Sequence, residues 1–312
     1  MKVVVTGVAG FIGSHLAESL VDDGHEVTGV DCFTDYYPRP LKESNLARLR
    51  ECAPFRLVEG RLQDMDLARL LDGAELVYHL AAQAGVRASW GREFELYTDH
   101  NVLATQRLLE AAVAAGRPKV VYTSSSSVYG DAPALPFRED GPCQPVSPYG
   151  VTKLAAEHLA VLYHRNHGLP TVSLRLFTVY GPRQRPDMAF HKFLKAARDG
   201  MELPVFGDGR QTRDFTYVAD IVAAVRSAPL SGRPGSVYNV GGGERIALSE
   251  VLRLIETVTA RPLRIQRLEN QKGDMRDTFA DTTAAHRDLG FRSTVPLAEG
   301  IAREWEWIRG LR

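Results

Sequence analysis

Along the chain, short β-branched runs alternate with segments whose apolar positions recur every three to four residues. Lys2-Val3-Val4-Val5-Thr6 shows no polar alternation, as expected of a parallel strand buried on both faces. Leu16, Leu20 and Val21 then lay out the stripe of a helix. Strands are expected again at 26–31, 55–58, 75–79, 119–123 and 171–176. Asp64 is expected to cap the helix after the third strand. A loop is expected at 33–40, rich in Tyr and Pro, and a helix at 101–115, with Leu103, Leu108, Leu109 and Ala112 apolar. Such alternation predicts an α/β fold with a doubly wound parallel sheet, whose ligands sit beyond the C-terminal ends of the strands.

The texture changes after Leu176. Residues 177–215 are dense in Gly, Pro, Arg and aromatics and read as a long irregular, ordered stretch with one helix at 188–198. The predicted organisation is a Rossmann-type dinucleotide domain at 1–176, to which 216–240 returns. A smaller C-terminal substrate lobe follows from 177–215 and 241–312.

Composition narrows the partners. Lys+Arg and Asp+Glu are both 38, a formal net charge of +0, which gives no case for nucleic acid or a membrane surface. Cys32, Cys52 and Cys143 are odd in number and form no CxxC, which argues for a reducing compartment and against a metal site. The apolar start is broken by Gly7, Gly10 and Gly13, unlike a signal peptide, and no run is long enough to span a bilayer. A soluble, cytoplasmic protein is expected.

Three stretches carry chemistry. Gly7-Val8-Ala9-Gly10-Phe11-Ile12-Gly13 lies between a strand and a helix, where glycines admit a pyrophosphate and a helix N-terminus offers N–H groups. Asp31, closing the second strand, can accept from both adenosine ribose hydroxyls and would repel a 2′-phosphate, favouring NAD over NADP. A plain Gly-rich turn and a loop Asp are the bland alternatives. Tyr149-Gly150-Val151-Thr152-Lys153 places a phenol and an ammonium four apart, on one face of a helix. A neighbouring cation favours phenolate, a general base. A half-buried Tyr with a solvated Lys would look the same, but Ser124-Ser125-Ser126-Ser127 at the end of the fifth strand strengthens the catalytic reading.

With these residues, the chain resembles an extended short-chain dehydrogenase/reductase acting on nucleotide sugars. The resemblance implies a catalytic triad of Ser125, Tyr149 and Lys153, with Lys153 lowering the tyrosine pKa and holding the nicotinamide ribose. It implies a cofactor site of Gly7, Ala9, Gly10, Phe11, Ile12, Gly13, Asp31, Leu62, Leu80, Ala81 and Ala82 together with Tyr149 and Lys153. Asp35-Tyr36-Tyr37 with Leu41-Lys42, 81–87, 124–130 and 176–189 are similar to the subgroup that epimerises UDP-glucuronate at C4. That implies NAD as cofactor, a UDP-sugar substrate and a transient 4-keto sugar. Substrate contacts would come from Ser126, Ser127, Thr178 and Arg185, with Arg185 and Thr178 at the carboxylate. Arg213 and Arg276 are expected at the diphosphate, Phe206 on the uracil and Arg87 near the sugar. For Arg185 an exposed loop arginine reads equally well from spacing alone. Asp214 and Asp220 read as structural. A homodimer through the helices after Asn101 and from Tyr149 is a further implication, although the same apolar stripe could face the sheet.

Two positions depart from the family pattern. Arg61 stands where an acid usually meets the adenine, and Gln271 stands where galactose epimerases often carry Arg. The nearest rivals, a UDP-glucuronate decarboxylase or sugar 4,6-dehydratase, usually carry a Glu or Asp-Glu just before Val-Tyr-Gly. Here Ser126 and Ser127 occupy those places and cannot serve as carboxylate bases. A UDP-glucose 4-epimerase and a non-catalytic NAD-sensing scaffold complete the alternatives.

Overall fold

The computed structural model describes residues 1–131, 134–269 and 275–311. Six strands come first: β1 (Lys2–Thr6), β2 (Glu26–Asp31), β3 (Phe55–Glu59), β4 (Leu76–His79), β5 (Lys119–Ser125) and β6 (Thr171–Leu176). Then β7 (Thr178–Tyr180), β8 (Glu202–Phe206) and β9 (Thr212–Tyr217) leave the sheet. β10 (Val237–Val240) returns to it, and β11 (Arg245–Ala247) and β12 (Arg264–Leu268) lie outside. The central sheet runs β10-β6-β5-β4-β1-β2-β3, parallel at every pairing. The order reverses direction beside β1, the point where such sheets bind ligands.

The helices are α1 (Phe11–Asp22), α2 (Arg39–Asn45), α3 (Ala47–Arg50), α4 (Leu67–Leu70), α5 (Phe94–Tyr97), α6 (Ala104–Ala114), α7 (Pro148–His167), α8 (Ala189–Asp199), α9 (Val218–Ser231), α10 (Leu248–Thr259), α11 (Thr283–Leu289) and α12 (Leu297–Gly310). Successive side chains of a strand point to opposite faces. Val3 and Val5 therefore join the core under α1 and α9, while Val4 joins the one under α6 and α7. Burial on both faces is why β1 carries no polar alternation. Helices α8, α10 and α12 pack together beside the small β11-β9-β7 and β12-β8 sheets, away from the central one. Among the described residues no helix is long and apolar enough to cross a membrane.

Several local expectations need correction. The stretch 177–215 holds β7, β8 and most of β9 in addition to its helix. These strands are short and sit in small sheets, so no sustained period of two marks them. The loop expected at 33–40 gives way to α2 at Arg39. The cap of α4 is Asp66, whose side chain accepts from the Arg69 N–H at 3.1 Å; Asp64 instead faces Arg61 at 3.4 Å. The helix expected from Asn101 opens with a π-helical turn, Thr98–Leu103, that runs into α6. The Gln271 departure lies outside the described residues.

Candidate active site

The C-terminal edge of the central sheet opens into a cleft of about 470 Å3. Its floor is the turn after β1. Gly7 has φ +72, and a Cβ there would lie 2.8 Å from the Ala81 nitrogen, so only glycine lets this turn meet the segment after β4. Gly13, inside α1, faces the same turn: a Cβ would lie 2.2 Å from the Gly7 carbonyl. Gly10 is the N-cap of α1 and supplies no side-chain cap, which leaves first-turn N–H groups for an anion. At the end of β2, Asp31 accepts from the Ala9 N–H at 3.0 Å and the Phe33 N–H at 2.8 Å. Burial raises its carboxyl, and those N–H groups and the Lys42 charge pull it down.

Opposite lies α7. Ser147 caps it by accepting from the Gly150 N–H at 3.1 Å, Pro148 follows at the first helical position, and Gly168 closes it in a left-handed turn. This start sets Tyr149 on the cleft wall, within hydrogen-bonding reach of the Ser125 hydroxyl at the end of β5. Lys153, one turn on, is buried. Its Nζ donates to the Thr123 carbonyl at 2.6 Å and lies 4.5 Å from the Tyr122 ring centroid. Burial lowers Lys153 to about 7, against the pull of Glu157. Burial raises Tyr149. The charge opposing that most strongly is Arg185, followed by the Ser125 hydrogen bond, while Asp187 adds to the rise. Among the charges around it, Arg185 favours the phenolate, while Lys153 is engaged with the Thr123 carbonyl.

Behind the triad lies a buried network that the sequence reading missed. Glu157 accepts from Ser124 at 2.6 Å and from Arg175 at 2.7 and 3.0 Å, and Arg175 donates to Tyr129. It ties α7 to β5 and β6. The spacing Tyr149, Lys153, Glu157 was a readable clue, since all three share a helix face. Asn101, in the π turn, accepts from the Gln83 N–H at 2.7 Å and donates to the Gln83 carbonyl and Thr152 at 3.0 Å. It thereby ties 81–87 to α7. Such π turns concentrate at functional sites. His79 sits fully buried between Thr6 and Thr105, and burial holds it neutral at about 3.

The cleft wall brings together Gly7, Gly10, Phe11, Ile12, Gly13, Asp31, Leu62, Leu80, Ala81, Ala82, Ser125, Ser126, Ser127, Tyr149, Lys153, Thr178, Arg185 and Arg213. Four expected residues stand off it. Ala9 is buried, its N–H spent on Asp31. Arg87 lies 4.4 Å from the Phe206 ring centroid, so these two meet each other beside the cleft. Arg276 is largely in solvent, its side chain 76% exposed. Arg213 donates to the carbonyls of Thr212 and Arg276 at 2.9 and 2.7 Å and so braces the 275–276 segment. Arg61, at the usual acid position, pairs with Asp99 and lies near Asp64. Asp214 is buried and accepts from the Ala280 and Gly242 N–H groups, and Asp220 accepts from Thr294 and Val295.

Comparison with known proteins follows the same line. A Bacillus subtilis protein described as an uncharacterized UDP-glucose epimerase is 42% identical, over 100% of this chain and 99% of that one. A probable UDP-glucuronate 4-epimerase of Rhizobium meliloti is 38% identical over 98% and 96%. The crystal structure of UDP-glucuronic acid 4-epimerase from Bacillus cereus, in complex with UDP-glucuronic acid and NAD, superposes with a TM-score of 0.96 at 41% identity, over 99% of both chains. Residues 3–241 match the family model, and the chain belongs to the NAD dependent epimerase/dehydratase family.

Proposed function

We propose that this protein is an NAD-dependent 4-epimerase of UDP-sugars that converts UDP-glucuronate to UDP-galacturonate. The observation that carries this reading is the single cleft that joins a glycine turn, a Ser125–Tyr149–Lys153 cluster and a cation, Arg185, beside the phenol. The residues fit NAD. The α1 N-terminus and its glycines would hold the pyrophosphate, Asp31 the adenosine ribose, and Lys153 the nicotinamide ribose. When bound, NAD supplies the acceptor and donor of the C4 hydride.

Tyr149 takes the proton of the sugar 4-hydroxyl, and Ser125 hydrogen-bonds the same oxygen. The sugar becomes a 4-ketone, turns over, and regains hydrogen on the other face while Tyr149 returns the proton. A 4-keto uronate is a β-keto acid that loses carbon dioxide when its carboxylate bond aligns with the carbonyl π system. Arg185 and Thr178 hold the carboxylate out of that alignment. Ser126 and Ser127 line the sugar pocket and offer no carboxylate for proton transfer at C5, which separates this reading from a dehydratase. Arg213, on the cleft wall, serves the diphosphate.

In domain terms, 1–176 with 216–240 form the NAD unit, and 177–215 with 241–312 the sugar unit. The protein acts as a cytoplasmic homodimer, paired through the outer faces of α6 and α7. A second reading, UDP-glucose 4-epimerase, draws on Asp187, which already engages two N–H groups of Arg185.

Incubating the purified protein with UDP-glucuronate, UDP-glucose and UDP-N-acetylglucosamine and identifying products by NMR tests this. UDP-galacturonate is the expected product, and Tyr149→Phe is expected to retain NAD with almost no turnover. No product from any of the three, or full activity in Tyr149→Phe, refutes the assignment.

A further inference from the structure

Arg185 is held by a chain of contacts that reaches far along the sequence. Its Nε donates to Asp187 Oδ1 at 2.9 Å and its Nη2 to Oδ2 at 3.0 Å. Those bonds use the side edge of the guanidinium. A planar fork with five N–H donors retains a second pair, on its Nη1–Nη2 end, for another anion. Asp187 is fixed in turn: the Tyr36 hydroxyl donates to Oδ2 at 3.1 Å, and the Tyr36 ring centroid lies 5.8 Å from the guanidinium carbon.

Tyr36 has its own seat. Its hydroxyl rests against Gly85, where a Cβ would come within 2.1 Å of it, and Gly85 has φ +105. The Gly85 carbonyl is held by the Tyr97 hydroxyl at 2.8 Å. Three separate segments, 33–36, 84–87 and 182–188, are thus linked through Tyr36 and Asp187 to one guanidinium. An arginine fixed beforehand gives up little side-chain freedom when an anion arrives, so its contact is realised more fully as affinity.

We propose that Tyr36 and Asp187 are positioning residues that set substrate preference: they hold Arg185 side-on, so that the end of its fork receives a carboxylate on the sugar and favours a uronate over a neutral hexose. This rests on Arg185 being the carboxylate contact. Asp187 acts through Arg185 and Tyr36 through Asp187; neither is assigned a contact with substrate. The 33–36 segment also contributes the Phe33 N–H that Asp31 accepts, so the residues that shape the ribose site and those that aim the guanidinium share one short loop.

The test uses NAD-loaded protein carrying Tyr149→Phe to stop turnover, with dissociation constants for UDP-glucuronate and UDP-glucose from titration calorimetry. Tyr36→Phe removes one hydrogen bond and keeps the ring. It is expected to weaken UDP-glucuronate by about 2- to 10-fold and leave UDP-glucose unchanged. Asp187→Asn removes the charged partner, with an expected loss of about 10- to 100-fold for UDP-glucuronate alone. Arg185→Met separates the two levels of the argument. If it weakens both ligands alike, the carboxylate contact itself fails. If it discriminates while Tyr36→Phe and Asp187→Asn leave the ratio unchanged, or tighten UDP-glucuronate, the contact stands and the positioning role is overturned. Should Asp187→Asn not fold, Tyr36→Phe decides.

Discussion

At the scale of single residues, the charge on Arg185 has a consequence for pH dependence. Burial pushes the Tyr149 phenol up from its ordinary value, and Arg185 is the strongest influence pulling it back. A phenol that ionises late remains protonated, and so inactive as a base, to higher pH. kcat/KM therefore rises with pH until the phenol has ionised. Removing a cation that favours phenolate raises the phenol further. Arg185→Met is expected to move the rising limb of the kcat/KM profile to higher pH, beyond any change in its height. A lower profile with an unmoved limb would mean that Arg185 binds substrate without acting on the base. Lys153, lowered to about 7 by burial, donates to the Thr123 carbonyl.

At the scale of elements, the turn between β1 and α1 distinguishes glycines that look equivalent in sequence. Gly13 meets the Gly7 carbonyl at 2.2 Å for an added Cβ, against backbone that cannot move without disturbing the parallel strand before it. Gly10, in extended conformation, would place its Cβ 3.1 Å from the same oxygen, a contact relieved by a small shift. Gly13→Ala is expected to destabilise the protein by about 1–3 kcal/mol, as overpacked cores do, and to lower the NAD retained through purification; Gly10→Ala should cost less stability. Chemical denaturation of both variants checks the order, and equal losses would refute it. These glycines, Asp31 and the Tyr-x-x-x-Lys face were legible because each is fixed by local conformation: a strand end, a helix start, a helical repeat. Asp187 with Tyr36 and Glu157 with Arg175 were not. Their partners lie 151 and 18 residues apart and meet only once the sheet order is set. The strands within 177–215 were hidden for a related reason: they are edge and lobe strands of three to six residues, whose pairing rather than pattern defines them.

At the scale of the whole molecule, α7 serves two surfaces. Its inner face carries Lys153, Ala156, Glu157, Ala160 and Tyr163 against the sheet, all buried. Its outer face carries Val151, Ala155, His158 and Leu162 at spacings of four, three and four, with Val151 48% and Leu162 50% exposed. Leu103, at the N-terminal end of α6, is 40% exposed, and Gln106 on α6 reaches the Tyr163 hydroxyl at 3.2 Å, which sets α6 beside α7. Single exposed apolar side chains are ordinary, and Val151 and Leu162 on the outward side of α7 mark the surface that the proposed homodimer would cover. The proposed homodimer places a second copy there, and a stable interface of that kind covers about 800 Å2 on each partner. A charge at its centre would be buried without a counterion, at a cost of several kcal/mol. Leu162→Arg is therefore expected to turn a dimer into a monomer at micromolar concentration in sedimentation velocity, with NAD content unchanged because Leu162 lies on the side of α7 away from the cleft. A wild-type protein that sediments as a monomer, or a Leu162→Arg variant that remains dimeric, would rule this face out. A monomeric variant that also loses turnover while keeping NAD would show that pairing steadies the end of α7 on which Tyr149 stands.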